Sequence, residues 1–232
     1  MNSITVLCSN YNSDQWIQGY LDCLNSQVKV GFDVVFVDAK STDNSLSTIK
    51  NYKFQDSINV KVIEEDKTIG IAEAWNIAIS NSETKYVLNI NTDDRLYKTG
   101  ILIYQSYLDL YPNIDVFYSP CHVVKDKEHK VLVSVYNWAE YSHDWLLKQC
   151  ICGPFPLLKR QPLLDVGLFN TKYTSSFDYE MWLRLSKSGH SFYKIPEPVG
   201  SYYLNPVGKS TDASTRNIAV QEDLEIRSIY RG

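Results

Sequence analysis

The sequence predicts an α/β fold with a Rossmann-like mixed sheet, mostly parallel and flanked by helices. Over the first ninety residues, short β-branched runs alternate with amphipathic segments, which is the pattern of βαβ units. A polar loop follows each of these runs. The 232 residues, with 44% hydrophobic and 22% charged side chains, have the composition of a globular protein with a packed core.

Four strands and three helices are predicted in this first part of the chain. The strands are expected at residues 4–8, 32–37, 60–63 and 86–90. Apolar side chains recur at helical spacing over residues 16–24, 45–52 and 71–79, and Ser13 or Asp14 is expected to cap the first helix. Ligands of open α/β sheets bind beyond the carboxyl ends of the strands, so the polar loops should converge on one site.

The pattern loosens from about Asp115. Strands are predicted at residues 115–119 and 131–136, before a stretch rich in glycine and proline at 153–156. A helix is expected over 178–188, followed by Gly189 as its C′ residue. Residues 195–211 contain three prolines and two glycines and are predicted to form a loop or lid, and a last helix is expected at about 218–229.

Charge and cysteine content narrow the class of protein. The formal net charge is -4 and no basic run exceeds two residues, so nucleic acid is not expected as a partner. No segment approaches the roughly 20 apolar residues of a membrane span, which predicts a cytoplasmic chain and leaves peripheral membrane association open. The number of cysteines is odd, which favours reduced, buried thiols; they are Cys8, Cys23, Cys121, Cys150 and Cys152.

Acidic side chains are the main candidates for chemistry. Asp93 and Asp94 directly follow the fourth predicted strand, and Asp38 ends the second. Paired carboxylates beside a phosphate-bearing ligand suit Mg²⁺ or Mn²⁺, although a solvated turn or a helix cap would use the same residues. Asp178 and Glu180 open a helix, where carboxylates are favoured by the helix dipole, but such a carboxylate can also act as a general base towards a hydroxyl.

Other common catalytic patterns do not follow any predicted strand. The sequence has no G-x-S-x-G elbow, P-loop or G-x-G-x-x-G fingerprint there, so α/β hydrolases, P-loop NTPases and dinucleotide dehydrogenases lose their main support. The four histidines lack metal-ligand spacing and are expected to be surface or core residues; they are His122, His129, His143 and His190.

Five segments carry a family resemblance when they are taken in order. They are SNYN at 9–12, VDAKSTDNS at 37–45, EEDKTIGIAEAWNIAI at 64–79, LNINTDDRL at 88–96 and FDYEMWLRL at 177–185. Together they resemble the family 2 glycosyltransferases of the GT-A fold, from Ile4 to about Thr211.

The resemblance implies an inverting transferase of the hexosyl or deoxyhexosyl type. It would move a single sugar from a nucleoside diphosphate sugar, expected to be a UDP-sugar, to a hydroxyl of a glycan or lipid-linked acceptor. A divalent metal, Mn²⁺ or Mg²⁺, is implied as cofactor. One domain is expected over 1–232, with 1–112 as the nucleotide-sugar-binding half, 113–211 as the acceptor and catalytic half, and 212–232 as a C-terminal helix or tail.

The same resemblance implies roles for individual residues. Donor contacts are expected from Ser9, Tyr11, Asp38, Gly70, Asn76 and Asp93. Asp94, together with Asp93, is expected to bind the metal that bridges the diphosphate, and Asp178 to deprotonate the acceptor hydroxyl. Residues 153–158 are expected to shape the acceptor side, and residues 195–211 to cover the donor.

Departures from the family pattern leave alternatives open. Ala39 and Lys40 replace the commoner acidic or glycine residues, and Asn205 lies where many relatives carry a metal-binding histidine. The Q-x-x-R-W element of processive synthases is missing, which favours single addition. A sugar nucleotidyltransferase would need a phosphate loop rich in Gly, Arg or Lys after the first strand, and a non-catalytic nucleotide- or sugar-binding module would not need both Asp94 and Asp178.

Overall fold

A seven-stranded sheet forms the centre of the computed structural model, which describes residues 2–28, 30–206, 208 and 212–231. The strands are β1 Ile4–Asn10, β2 Phe32–Asp38, β3 Ile58–Glu64, β4 Tyr86–Asn89, β5 Arg95–Leu96, β6 Val116–Tyr118, β7 Cys121–Val124, β8 Leu132–Tyr136, β9 Leu157–Lys159, β10 Phe192–Lys194 and β11 Gly200–Tyr203. The helices are α1 Asp14–Asn25, α2 Ser45–Asn51, α3 Ile71–Ser80, α4 Gly100–Leu110, α5 His143–Leu146, α6 Arg160–Val166, α7 Phe177–Lys187 and α8 Ala213–Tyr230.

The strand order in the large sheet is β10-β6-β9-β4-β1-β2-β3. All neighbouring pairs are parallel except the two that involve β9, which runs antiparallel to β4 and to β6. The predicted mixed, mostly parallel sheet flanked by helices is therefore confirmed. Each of the first four predicted strands is present, with bounds that differ from the prediction by two residues or fewer.

Two hydrophobic clusters cover the two faces of this sheet. Alternate residues of β1 enter different clusters, with Leu7 on the face of α3 and α7 and Val6 and Cys8 on the face of α1 and α4. A strand that is buried on both faces is apolar at nearly every position. This double burial explains the continuous β-branched runs from which the first strands were predicted.

A second, four-stranded sheet has the order β5-β11-β7-β8. Its strand β11 lies within residues 195–211, which were predicted to be a loop or lid, so that prediction is wrong for Gly200–Tyr203. The prediction failed because β11 is stabilised by pairing with distant segments, antiparallel to β5 and parallel to β7. Val207 and residues 209–211 of the predicted lid lie outside the described residues.

The helix ends agree in part with the sequence. Ser13 precedes α1 as predicted, but neither its side chain nor that of Asp14 caps the helix; Asp43 accepts a 2.8 Å hydrogen bond from the Asp14 N–H instead. Gly189 follows α7 with φ of +80°, as a C′ glycine does, and the predicted C-terminal helix is α8. No helix in the described part of the chain is long and apolar enough to cross a membrane. All five cysteines are free thiols, as expected.

Candidate active site

The carboxyl ends of β1 and β4 and the start of α3 meet β11 around a cavity of about 340 Å³, called here the donor cavity. Its lining includes Ser9, Tyr11, Asn12, Ser13, Trp16, Ile69, Gly70, Ile71, Asn91, Thr92, Asp93, Tyr202, Tyr203, Asn205 and Gly208. The predicted convergence is therefore present for the polar loops after β1, β3 and β4, whereas no residue of the loop after β2 is part of the lining. Of the six residues expected to contact the donor, Ser9, Tyr11, Gly70 and Asp93 line this cavity.

A second cavity of about 490 Å³, called here the acceptor cavity, adjoins the first. The two share Ile71, Asn91 and Tyr202 as lining residues. The wall of the acceptor cavity is rich in aromatic rings, which are Trp75, Tyr136, Trp138, Phe177 and Tyr202. Gly153 and Asp178 also line it. Residues from both halves of the chain thus build each cavity.

Asp93 is the carboxylate of the donor cavity. Its Oδ2 accepts a 3.0 Å hydrogen bond from Nδ2 of Asn205, which places Asn205 beside the predicted metal position. Its backbone carbonyl accepts a 2.9 Å hydrogen bond from Nε2 of His129. Asp93 is therefore held from both its side chain and its main chain while it faces the cavity.

Asp94 is fully buried and is not among the residues that line the donor cavity. Its Oδ1 accepts a 3.1 Å hydrogen bond from the N–H of Tyr203 in β11. Burial, and after it the neighbouring charge of Asp93, raises the pKa of Asp94 well above its ordinary value. Asp94 fixes the loop that carries Asp93, and it does not line the donor cavity.

The side chains around Asp93 suit a divalent cation that is coordinated jointly by the protein and by a bound ligand. In the described residues, no group of three or more His, Cys, Asp or Glu side chains could hold a metal by itself. Mg²⁺ is commonly bound by one or two carboxylates together with substrate phosphates. Asp93, with the amide of Asn205 next to it, fits that arrangement, so a cation here would need phosphate oxygens to complete its shell.

The N-terminus of α3 opens onto the donor cavity at Gly70 and Ile71. The first N–H groups of a helix have no partner within the helix, and with the helix dipole they favour a bound phosphate. Gly70 has no other atom within 4 Å of where a Cβ would lie, so the space in front of the helix is open. The geometry thus offers an anion site near Asp93.

Asp178 lies in the first turn of α7 and is half-buried in the wall of the acceptor cavity. Its Oδ1 accepts a 2.7 Å hydrogen bond from the N–H of Tyr179. Burial raises the pKa of Asp178 from 3.8 to about 6, and the hydrogen bonds from the backbone limit that rise. A carboxylate with this pKa is mostly ionised at neutral pH and is a stronger base than an exposed aspartate.

Comparison with known proteins decides the family of this chain. The family model described as Glycosyl transferase family 2 matches residues 5–165. The chain belongs to glycosyl transferase family 2. Among the relatives of this family 2 chain, the teichoic acid poly(glycerol phosphate) polymerase of Staphylococcus epidermidis is 27% identical over 207 residues. Those residues cover 84% of this chain and 27% of the polymerase, so the chain spans about a quarter of that relative's length.

Solved structures of other proteins share the fold of this family 2 chain. Staphylococcus aureus TarS 1-349, in complex with UDP-GlcNAc, matches with a TM-score of 0.77 at 19% identity, over 99% of this chain and 71% of that one. The mannosyltransferase PcManGT from Pyrobaculum calidifontis, in complex with GDP-Man and Mn²⁺, matches with a TM-score of 0.72 at 18% identity, over 96% and 64% of the two chains. These similarities confirm the GT-A fold.

Asp38, which the family resemblance assigns to the nucleotide, is buried and does not line the donor cavity. Its Oδ1 accepts hydrogen bonds of 2.6 Å from Nδ2 of Asn10 and from Oγ of Ser41, and its Oδ2 accepts one of 2.9 Å from the Ser41 N–H. In this family 2 chain Asp38 therefore organises the loop after β2. Its predicted contact with the donor stays a prediction.

Asn76 lies on α3 and is also absent from the cavity lining. Its Nδ2 donates a 2.8 Å hydrogen bond to the carbonyl of Phe169, and its Oδ1 accepts a 2.9 Å hydrogen bond from the N–H of the same residue. Both ends of the amide are thus used to join α3 to the segment after α6. The donor contact predicted for Asn76 stays a prediction.

His129 is a site residue that the sequence did not indicate. It follows β7 in a turn, with φ of +57°, and its ring lies between the carbonyl of Asp93 and the hydroxyl of Ser201. Burial, and after it the charge of Arg95, lowers the pKa of His129, so the neutral ring can donate from Nε2 and accept at Nδ1. The contact between His129 and Asp93 could not be predicted from a local sequence pattern because the two residues are 36 positions apart.

Proposed function

We propose that this chain transfers a single sugar, with inversion at the anomeric carbon, from a UDP-sugar to a hydroxyl of a glycan or lipid-linked acceptor. The observation that carries the proposal is the meeting of the two cavities at Ile71, Asn91 and Tyr202, with Asp93 on one side and Asp178 on the other. An in-line displacement needs a leaving group and an attacking hydroxyl on opposite sides of one carbon, and adjoining cavities provide for both.

Asp178 is proposed as the general base. The acceptor hydroxyl gives its proton to the Asp178 carboxylate, its oxygen bonds to the anomeric carbon, and the bond from that carbon to the diphosphate oxygen breaks. The nucleoside diphosphate leaves with the electron pair of that bond. The position of Asp178 in the acceptor cavity and its pKa of about 6 support this role.

The donor side is proposed to hold the diphosphate between Asp93 and the N-terminus of α3. A Mn²⁺ or Mg²⁺ ion bound there would offset the charge that develops on the departing diphosphate. Asp93 and the neighbouring Asn205 would hold the ion together with phosphate oxygens, and we favour Asp93 over the buried Asp94 as its protein ligand. The Mn²⁺ in the PcManGT complex supports a metal on this side.

A uridine nucleotide is the proposed donor carrier. Ser9, Tyr11 and Asn12, from the loop after β1, line the donor cavity, and Tyr11 is 50% exposed and can stack on a base. The UDP-GlcNAc in the TarS complex supports uridine, whereas the PcManGT complex contains a guanosine nucleotide sugar. The donor half at 1–112, the acceptor half at 113–211 and a cytoplasmic location stay predictions.

The acceptor is proposed to bind through sugar rings. Tyr136 and Trp138 lie with their ring centroids 5.3 Å apart, and Tyr136 lies 6.2 Å from Tyr202. Such a group of rings offers apolar faces and polar edges, which suit the alternating apolar and hydroxyl surfaces of a saccharide. A glycan acceptor, free or linked to a lipid, fits this wall.

A binding experiment tests the donor site first. Thermal unfolding is measured with uridine, guanosine, adenosine and thymidine diphosphates and with UDP-GlcNAc, each with Mn²⁺, with Mg²⁺ and with a chelator. A ligand that binds the native state raises the apparent stability. We expect a metal-dependent rise with UDP and UDP-GlcNAc, and equal unfolding temperatures in all mixtures would contradict the donor site.

Turnover then tests the base. Asp178→Asn should lower the release of UDP from UDP-GlcNAc by about 10²-fold or more while the affinity for UDP stays the same. Asp165→Asn is a matched control, because Asp165 is an exposed carboxylate on α6 that contacts Gln161. Turnover by Asp178→Asn at the level of Asp165→Asn would exclude Asp178 as base. A non-catalytic module would bind UDP without turnover, and a nucleotidyltransferase would consume UTP and a sugar 1-phosphate.

A further inference from the structure

The turn that leads into α7 is held by a side chain from another helix. Ser176 is the N-cap residue, yet its own side chain accepts no hydrogen bond from the helix. Instead the carboxylate of Glu222 in α8 accepts hydrogen bonds from three consecutive backbone N–H groups, at 2.8 Å from Thr174, 2.9 Å from Ser175 and 2.8 Å from Ser176. The hydroxyl of Thr174 adds a fourth at 3.1 Å.

The next residue of α8 holds the same turn. Oγ of Ser176 donates a 2.6 Å hydrogen bond to Oδ1 of Asp223. Oδ2 of Asp223 lies 3.6 Å from Arg227, which also donates from Nε to the hydroxyl of Tyr179 at 3.2 Å. Two adjacent carboxylates of α8 therefore fix the backbone and the side chain of the turn that leads into α7.

Asp178 is the second residue after Ser176, so its position depends on this turn. Thr174, Ser175 and Asp178 all line the acceptor cavity, and a change in the path of the turn would move the carboxylate of Asp178 relative to that cavity. We propose that Glu222 and Asp223 are positioning residues, which hold Asp178 in place for proton abstraction from the acceptor. The proposal rests on the role of Asp178 in the proposed function.

The charges around Asp178 are consistent with a positioning role. The group that faces it from α8 is Asp223, and the groups that face it from the segment before β9 are the thiols of Cys150 and Cys152. Burial raises the pKa of both thiols far above their ordinary value, so they stay neutral. Burial is the main cause of the raised pKa of Asp178, and the charge of Asp223 adds to it.

Glu222 itself stays ionised in this arrangement. Burial acts to raise its pKa, but the hydrogen bonds from the turn outweigh burial and lower the pKa below its ordinary value. A carboxylate at the N-terminus of a helix is also favoured by the helix dipole. Glutamine at this position would keep the shape and one acceptor oxygen and would lose the charge and the second acceptor.

The first test compares three variants in the release of UDP from UDP-GlcNAc, with water as acceptor. Glu222→Ala should lower kcat on the order of 10-fold to 100-fold, since small displacements of a catalytic group have effects of that size, while the KM for UDP-GlcNAc stays the same. Glu222→Gln should lower kcat less than Glu222→Ala does. Glu225→Ala is the matched control, because Glu225 also lies on α8 but contacts Lys172 and Tyr173, outside the turn.

The second test does not depend on turnover. The pKa of Asp178 is measured by ¹³C NMR of carboxyl-labelled aspartate in the wild type, Asp223→Asn and Glu225→Ala. Asp223→Asn should shift the pKa of Asp178 slightly to a lower value because the charge of Asp223 contributes to its rise, and Glu225→Ala should leave that pKa unchanged. A lost hydrogen bond alone, with the charge environment intact, would not produce this difference.

The outcomes separate the two proposals. Equal kcat for Glu222→Ala and the wild type, or an equal loss in Glu225→Ala, would overturn the positioning role of Glu222, and an unchanged pKa of Asp178 in Asp223→Asn would overturn the part of the proposal that includes Asp223. Full turnover by Asp178→Asn would instead overturn the base itself. If Glu222→Ala does not fold, the comparison of Glu222→Gln with Glu225→Gln decides by the same criteria.

Discussion

The N–H of Tyr203 donates a 3.1 Å hydrogen bond to Oδ1 of Asp94 and joins residues that are 109 positions apart. This bond attaches the loop after β4 to the end of β11. Asp93 and Tyr203 both line the donor cavity, so Asp94 holds two parts of that cavity together from behind. The two adjacent carboxylates, which look equivalent in the sequence, therefore have different surroundings.

Substitution of these two carboxylates should have different effects on ligand binding. Asp93→Asn should weaken Mn²⁺-supported binding of UDP about tenfold or more, because it removes the carboxylate of the donor cavity. Asp94→Asn should leave that binding near the wild-type value, since asparagine keeps an acceptor for the Tyr203 N–H and buries no charge. Calorimetric titration of UDP with Mn²⁺ and with chelator measures both. Stronger loss in Asp94→Asn than in Asp93→Asn would restore Asp94 as the metal ligand.

The pH dependence of turnover should follow Asp178. Its raised pKa of about 6 means that the base of the free enzyme is protonated as the pH falls below 6, so kcat/KM should fall about tenfold per pH unit there. A raised pKa also means that the folded state favours the protonated carboxyl, so this group lowers the stability as the pH rises from about 4 to 6. Asp178→Asn should abolish both effects, in a pH series of kcat/KM and of thermal unfolding. A fall in turnover centred near pH 4, in place of pH 6, would contradict the assignment of Asp178 as the base.

Gly153 should be required for the shape of the acceptor cavity. Its φ is +62°, and a Cβ at this position would lie 2.5 Å from Nε1 of Trp138. Gly153→Ala should therefore displace Trp138 and raise the KM for a saccharide acceptor. Gly189→Ala is the control, because Gly189 also has a positive φ, +80°, but nothing within 4 Å of a Cβ.

Both glycine variants should lose about 1–2 kcal/mol of unfolding free energy, the usual cost of a left-handed L-residue, and Gly153→Ala should lose more because Trp138 must also shift. Only Gly153→Ala should change the KM for the acceptor and the fluorescence of Trp138. The same KM in the two variants would show that Trp138 does not limit the acceptor cavity.

Asn76 should contribute to stability through Phe169. Asn76→Ala leaves a backbone N–H and a carbonyl without their partners, which should cost about 1–3 kcal/mol in unfolding free energy. Asn81→Ala, at the exposed end of the same helix, should cost less. Denaturant unfolding measures the difference, and titration of UDP measures the donor site. A clear loss of UDP affinity in Asn76→Ala, with stability unchanged, would support the donor contact predicted from the family pattern.

The fold could be predicted where neighbouring residues determine it. β1, β2 and β4 are almost entirely buried and have largely apolar runs, so their pattern is visible in the sequence, whereas β3 is partly exposed and shows a shorter β-branched run. β9 and β11 have three and four residues and lie among glycines and prolines. They are strands because distant partners pair with them, and a local pattern does not contain that information.

In the candidate site, too, features set by neighbouring residues could be predicted and features set by distant residues could not. Asp93 and Asp178 could be found because they follow a strand and open a helix, and both line a cavity. The side-chain directions of Asp94 and Asp38 could not, since each depends on hydrogen bonds to other loops. Glu222 gave no signal, because its contact with the turn before α7 spans 46 residues or more.

The wall shared by the two cavities has a thermodynamic consequence. Both cavities are lined by Ile71, Asn91 and Tyr202. A ligand that orders these side chains in one cavity therefore also orders part of the wall of the other cavity. Any factor by which the nucleotide changes the affinity for the acceptor must equal the factor by which the acceptor changes the affinity for the nucleotide. Reciprocity of this kind would couple the two binding steps without a separate regulatory site, whichever ligand binds first.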